Sequence, residues 1–349
     1  MAVDLAVTAH TLVQEGKGIL ALDETPGTIG KRFEALGIPS TADTRRAYRE
    51  LLVTAPELQQ VISGVILQDE TFRQTTSSGL TFPETMIQRG ILPGIKVDTG
   101  AKPMAGAPGE KVTEGLDGLR ERIAEYVERG ARFAKWRAVI TIGDGTPTPA
   151  CIAANAHALA RYAALCQEGG LVPIVEPEVL MDGDHSIETC FKCSVTTWRS
   201  VFAELVAQAV ALEAMVLKPS MILPGKQHSP RASVDEVGRW TMLGLRQAVP
   251  AAVPGIAFLS GGQSPELATD HLHAINAVGP RPWQLTFSYG RALQDPALSA
   301  WQGEARNIGP AQEALLHRTG CVAGARSAGA NQALAPYDDD SQRLSRALV

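Results

Sequence analysis

The sequence predicts one α/β domain closed as a (β/α)8 TIM barrel, with a flexible C-terminal tail behind it. Three observations lead there. Eight short apolar runs, at residues 18–23, 64–68, 94–98, 133–142, 171–177, 214–220, 255–261 and 285–289, alternate with segments of helical pattern, and such alternation implies parallel pairing. No Gly-rich dinucleotide fingerprint is present, which favours a closed barrel over an open doubly wound sheet. The 349 residues are 45% hydrophobic, enough for one large core or for two ordinary domains, and the eight repeated units select one barrel over residues 1–319 with a tail over 320–349.

Along the chain, the first run ends at Asp23, and residues 33–52 read as an extra helical insertion. Residues 101–115, rich in Gly and Pro, read as a loop that interrupts the third unit and is placed to move over a site. Residues 186–212 read as helix. Ser233 with Glu236 makes a capping box, and Ser264-Pro265-Glu266 puts proline at the first helical position. The tail is rich in Ala, Gly and Ser and then acidic at Asp338, Asp339 and Asp340.

Composition excludes several classes of function. A formal net charge of −5 and an isoelectric point near 5.9 lack the basic excess that nucleic acids and membrane surfaces require. No run reaches the roughly 18 apolar residues of a membrane span, and residues 1–10 lack the basic-then-apolar layout of a signal peptide, so a cytoplasmic protein is expected. Cys151, Cys166, Cys190, Cys193 and Cys321 are too few and scattered for a disulfide framework. The Cys190/Cys193 spacing matches a redox motif, but it falls inside predicted helix with no strand feeding it, which favours a structural thiol pair. Asp182-Gly183-Asp184-His185 lacks the later acidic ligands of a calcium loop and reads as a turn. His271 and His273, two apart on a predicted helix, face different sides and make no ligand pair. No metal or cofactor is expected.

The chemistry of such a barrel sits at the carboxyl ends of its strands. The run 214–220 delivers one amine, Lys218, to that end before Pro219 stops the strand, and burial of a lysine disfavours its ammonium form and makes it a nucleophile toward carbonyls. Other runs deliver Asp23, Lys96, Lys135 with Arg137, and Glu176 with Glu178. Side chains two apart on a strand point the same way, so each of those two pairs shares an inward face. Any one of these residues alone fits a buried ion pair; their convergence at one rim points to a site. Ser260-Gly261-Gly262 and Ser288-Tyr289-Gly290-Arg291 follow the last two strands, where backbone amides and a permanent cation suit a phosphate. Lys31 and Arg32, beyond the first strand, offer a second anion site and hence a substrate with anions at both ends.

Six blocks carry a resemblance: Gly94-Ile95-Lys96-Val97-Asp98, Ala134-Lys135-Trp136-Arg137, Val172 through Glu178, Leu217-Lys218-Pro219, Phe258 through Gln263, and Leu285 through Arg291. Together they resemble the class I fructose-bisphosphate aldolase family, in order and at family-like separations. The resemblance implies reversible cleavage of fructose 1,6-bisphosphate in glycolysis and gluconeogenesis, a (β/α)8 barrel, no metal, sugar phosphates as partners and a homotetramer. It implies Lys218 as the Schiff-base nucleophile, Lys135 as an aid to amine neutrality and dehydration, and Asp23 as acceptor of the hydroxyl proton. Glu176 would shuttle protons, with a pKa raised by burial and by Glu178. Lys96 and Arg137 would position hydroxyls and phosphate; Ser260, Gly261, Gly262, Ser288, Gly290 and Arg291 would hold one phosphate, and Lys31 with Arg32 the other.

Two departures stand out. The family's first-strand loop usually reads Asp-Glu-Ser-Thr-Gly-Ser; here it is Asp23-Glu24-Thr25-Pro26-Gly27-Thr28, and Pro26 removes one donor and stiffens the loop. A terminal tyrosine is replaced by Leu348-Val349, with Tyr337 well inside the tail, so proton exchange on the enamine is expected to fall to Glu176 or water. A Schiff-base lyase for another sugar phosphate and a non-catalytic scaffold stay open as alternatives; the first needs one phosphate site, the second an inert pocket.

Overall fold

The computed structural model describes residues 4–326, and in them the eight runs become the eight parallel strands of a closed barrel. In chain order the strands are β1 (Gly18–Leu22), β2 (Ile62–Leu67), β3 (Leu92–Lys96), β4 (Gly100–Pro103), β5 (Lys111–Glu114), β6 (Phe133–Ile140), β7 (Val172–Val179), β8 (Val216–Leu217), β9 (Gly255–Phe258) and β10 (Gln284–Tyr289). Around the barrel the order is β1-β10-β9-β8-β7-β6-β3-β2, with β4 and β5 forming a separate ribbon. Register places Lys96 beside Lys135, and Arg137 beside Glu176. β8 is only two residues long; just past it the Lys218 amide donates to the Val175 carbonyl at 2.8 Å, which fixes where the amine begins.

Strand alternation sorts the core into an inside and an outside. Ile19, Ala21, Ile66, Phe133, Val172, Ile174, Val216 and Ala257 form the inner cluster, joined by Ala9, Leu12 and Val13 at the end of helix α1 (Leu5–Leu12). Their neighbours, such as Leu20, Leu67, Trp136, Val175, Leu217 and Phe258, pack outward in the shell shared with the helices. The helix α1 therefore closes the amino-terminal mouth, and Phe133 fills the floor. A Cβ on Gly64 or Gly94 would stand 2.9 or 2.2 Å from the Phe133 ring, so both strands need glycine there for want of space. An apolar floor leaves the other rim as the only inner layer for charge.

Three expectations change. The insertion at 33–52 is two helices, α2 (Pro26–Glu34) and α3 (Ala42–Val53), each started by a threonine cap, Thr25 and Thr41. The break follows Gly37, whose φ of 68° is left-handed. Residues 101–115 are no loose loop: β4 and β5 pair antiparallel, Thr113 donates to the Arg137 carbonyl at 2.8 Å, and Glu110 accepts from the Thr148 amide and hydroxyl at 2.6 Å each. Pairing satisfies backbone groups that an irregular excursion would leave to solvent. The boundary expected at 320 falls inside a helix, Ile308–Gly324, which buries Val322 and Ala323. Arg326 then donates to the carbonyls of Leu285 (2.9 Å), Gln14 (2.6 Å) and Val13 (3.1 Å), at the barrel end opposite Lys218. The rest of the expected tail, with Tyr337, the acidic run and Leu348-Val349, lies outside the described residues. No helix among the described residues is long and apolar enough to cross a membrane.

If Phe133 sets the floor, Gly94→Ala overpacks it and is expected to lower stability by about 1–3 kcal/mol, with Phe133→Leu in the same chain restoring part of the loss. Urea midpoints of the three chains check this; a single substitution without cost, or a double no better than the single, goes against it.

Candidate active site

Four inward charges of alternating sign meet at the carboxyl-terminal rim. Lys218 Nζ lies 3.1 Å from Glu176 Oε1, Glu176 Oε2 lies 3.2 Å from Lys135 Nζ, and Lys135 Nζ lies 2.5 Å from Asp23 Oδ2. Lys135, Glu176 and Lys218 are all buried. Two flanking pairs extend the row: Lys96 Nζ bonds Asp98 Oδ1 at 2.6 Å, and Arg137 Nε bonds Glu178 Oε2. Together they line a cavity of about 460 Å³, the size of a small-molecule site.

Charge and burial compete within this row. Burial opposes the Lys135 ammonium, but the carboxylates of Asp23, Glu176 and Asp98 override it and hold that amine well above the ordinary lysine range. Burial pushes Asp23 up, and Lys135 with Lys218 more than reverses this, to about 2. The expected rise for Glu176 is overturned: burial does raise it, yet Lys135, Lys218 and Arg137 outweigh burial and hold the carboxyl below its ordinary value. Glu178, expected to push it up, is already neutralised by Arg137. Glu176 is thus a carboxylate between two amines, in contact with Lys218 at 3.1 Å and so placed to exchange a proton with it.

The loops after β9 and β10 form the near end of the cavity. Gly261 and Gly262 adopt left-handed φ values of 58° and 86°, and among the described residues their amides have no backbone partner. Gly290 caps the helix Arg291–Trp301, whose first amides face an anion site in the usual helix-terminus sense. Ser288 Oγ is buried with no hydrogen-bond partner among the described residues. Ser260 and Arg291 complete this rim. At the far end Thr25 caps α2 and its hydroxyl sits 3.0 Å from that of Thr28. Pro26 occupies the first helical position, so its missing donor costs the helix nothing. Arg32 bonds Glu24 at 2.9 Å and Asp295 at 2.6 Å.

Every site residue read from the sequence lines this cavity except Lys31, which lines a separate shallow groove with Gly30, Glu34 and Ser40. Successive helical residues point about 100° apart, and here that turn sets Lys31 and Arg32 toward different cavities. Sequence reasoning missed Glu24, Asp98, Gln294 and Lys226. Asp98 carried a signal, two residues beyond Lys96 on the same face; it accepts from the Gly100 and Arg137 amides at 3.1 and 3.2 Å. Gln294 donates to Glu24 at 2.6 Å from a helix seventy residues past Lys218 and more, and nothing local announces it. Lys226 lies in a stretch without periodicity. The thiols of Cys190 and Cys193 sit on helix Ile187–Ala207, and burial pushes Cys193 up to about 12, far from a reactive thiolate. No cluster of three His, Cys, Asp or Glu among the described residues is arranged to hold a metal.

Comparison with known proteins adds to this geometry. A family model described as fructose-bisphosphate aldolase class-I matches residues 4–345. The chain is similar to a probable fructose-bisphosphate aldolase class 1 of Xylella fastidiosa, 56% identical over 315 residues, covering 90% of this chain and 94% of that one. It is similar to a cytosolic fructose-bisphosphate aldolase 4 of Arabidopsis thaliana, 48% identical, covering 97% of this chain and 85% of that one. Among solved structures, a fructose-bisphosphate aldolase of Plasmodium falciparum in complex with TRAP and a small-molecule inhibitor superposes with a TM-score of 0.92 at 46% identity, covering 95% and 96% of the two chains.

The Asp23 contact has a pH signature. Folded Asp23 takes its proton near 2 against an ordinary 3.8; the unfolded chain therefore protonates first, and the contact's stability is full above about pH 4 and is lost as the pH falls toward about 2. The stability gap between the native chain and Asp23→Asn is expected to narrow by about 2 kcal/mol across that window, as read from denaturant midpoints. A gap that ignores pH contradicts the charge assignment.

Proposed function

The chain belongs to the class I fructose-bisphosphate aldolase family, and from that premise we propose how its own residues cleave the substrate. The reaction is reversible cleavage of fructose 1,6-bisphosphate to dihydroxyacetone phosphate and glyceraldehyde 3-phosphate through a lysine Schiff base, in glycolysis and gluconeogenesis. The observation that carries the assignment is the contact row Lys218, Glu176, Lys135, Asp23.

Lys218 passes its proton to Glu176 and attacks the ketose C2 carbonyl with the freed electron pair. The carbinolamine oxygen takes a proton back from Glu176 and leaves as water, with Lys135 as the fixed positive charge beside it. The iminium that results is an electron sink. Asp23 accepts the C4 hydroxyl proton, the C3–C4 bond breaks, glyceraldehyde 3-phosphate leaves, and the electron pair rests in an enamine on Lys218. Asp23 gives its proton up to water and Glu176 takes one up from it; Glu176 then protonates the enamine carbon, and water hydrolyses the iminium to release dihydroxyacetone phosphate and return Lys218 as the ammonium it began as. Lys96 and Arg137 position hydroxyls and phosphate. Gly261, Gly262, Ser260, Ser288, Gly290 and Arg291 take the phosphate nearest Lys218, and Arg32 with the start of α2 faces the distal one.

Assembly and compartment follow less directly. The homotetramer usual in the family is our reading for this chain, and a sedimenting mass of four 37.1 kDa chains is what it requires. A cytoplasmic location is supported by five free cysteines, which suit a reducing compartment, and by the cytosolic plant relative.

Incubation with dihydroxyacetone phosphate and borohydride is expected to add one reduced triose phosphate per chain, at Lys218 by peptide mass, with no adduct in Lys218→Met and no loss of cleavage in a chelator. An adduct elsewhere, or none in the native chain, sinks the assignment.

A further inference from the structure

We propose that Lys226 is a further phosphate-binding residue of this site, a second cation opposite Arg291 that sets affinity for the phosphate next to the ketose carbonyl. The inference rests on the aldolase reading above. Lys226 reaches the cavity from the irregular segment after β8. Three successive amides stitch that segment to the turn after β7: Gly225 donates to the His185 carbonyl at 2.8 Å, Lys226 to Met181 at 2.7 Å and Gln227 to Gly183 at 2.9 Å. The approach is so close that a Cβ on Gly225 would stand 2.3 Å from the Gly183 carbonyl oxygen. The Lys226 backbone is therefore fixed, and its long side chain lines the cavity.

That side chain converges with Arg291 on the glycine pair. Lys226 Nζ and Arg291 Nη2 lie 3.4 and 3.1 Å from the point where a Gly262 Cβ would be. Gly261, Gly262 and Ser288, whose hydroxyl is unpartnered among the described residues, line the same cavity as these two cations. Pro219, next to Lys218, accepts from the Leu259 amide at 3.1 Å, so this cradle adjoins the Schiff-base amine and takes the phosphate on C1. Arg291 has no ion-pair partner among the described residues, whereas Lys226 is paired with Asp182 at 2.9 Å. That pair is exposed, 45% and 63% for the two side chains, and exposed pairs are weak and easily exchanged. A phosphate dianion in the cradle offers Lys226 the stronger, charge-assisted partner. Asp182 then acts as the competing counter-ion that holds Lys226 until substrate arrives.

A strap that merely ties the two loops through Asp182 makes a different prediction, and the sign of two substitutions separates them. Two quantities are read in the native chain and variants: the half-saturating dihydroxyacetone phosphate concentration for borohydride trapping, and the dissociation constant of inorganic phosphate by calorimetry. Lys226→Met is expected to raise both about tenfold with kcat within about twofold, Lys226→Arg to stay near native, and Asp182→Asn to lower both about twofold. Unchanged saturation in Lys226→Met overturns the proposal, and so do equal increases in Lys226→Met and Asp182→Asn. A native chain that forms no adduct at Lys218 overturns the aldolase reading and this inference together; a native adduct with unaltered Lys226→Met saturation overturns the inference alone.

Discussion

Two ammonium groups and two carboxylates, in contact and alternating in sign, three of them buried, constrain everything else in this molecule. Each charge alone would be costly in a low-dielectric interior; in sequence, Lys218, Glu176, Lys135 and Asp23 neutralise one another. Removing one partner from such a set leaves an uncompensated buried charge, typically worth about 3–5 kcal/mol. The row is stable as a whole: Lys135 holds its proton firmly between Asp23 and Glu176, while at the open end a transfer from Lys218 to Glu176 preserves neutrality. That is the property acid and base catalysis at an amine requires.

The barrel supplies this row by dividing its interior into two levels. Below, Phe133, the aliphatic inner cluster and α1 exclude water from the floor. Above, period-two alternation places each ionisable side chain one step further along a strand whose earlier inward residues are apolar, as in Ile174 followed by Glu176, or Val216 followed by Lys218. Parallel strands bring all these ends to one rim. The two ends of the cavity differ in kind: the near end offers unpartnered amides and Arg291, while at the far end Arg32 already serves Glu24 and Asp295. Anion affinity is thus built in next to the nucleophile and has to be won from internal ion pairs at the distal end.

The strands and the inward lysines and glutamates were legible because both follow from a local period that any eight-residue window displays. Lys218 was visible as one amine ending an apolar run. Glu176 was misjudged in its proton affinity because sequence shows its neighbour two residues on, Glu178, and hides Lys218 and Lys135, which only barrel closure brings across from adjacent strands. Lys31 lies outside the cavity for a local reason, the roughly 100° turn between adjacent helical residues, once residues 26–34 became helix rather than loop. The β4 and β5 ribbon was hidden by its Gly and Pro content. Lys226 and Gln294 lie in segments whose position depends on tertiary contacts alone, so no pattern in the chain pointed to them.

The central claim is that Glu176, held as a carboxylate by two lysines, takes the proton from Lys218 and so makes the amine a nucleophile. Its most direct test is the single-turnover rate of iminium formation with dihydroxyacetone phosphate, followed by rapid borohydride quench, in the native chain and in Glu176→Gln. The account predicts that the amide slows this step by about 10²–10⁴ while leaving inorganic phosphate binding near native. Iminium formation at the native rate in Glu176→Gln would contradict it.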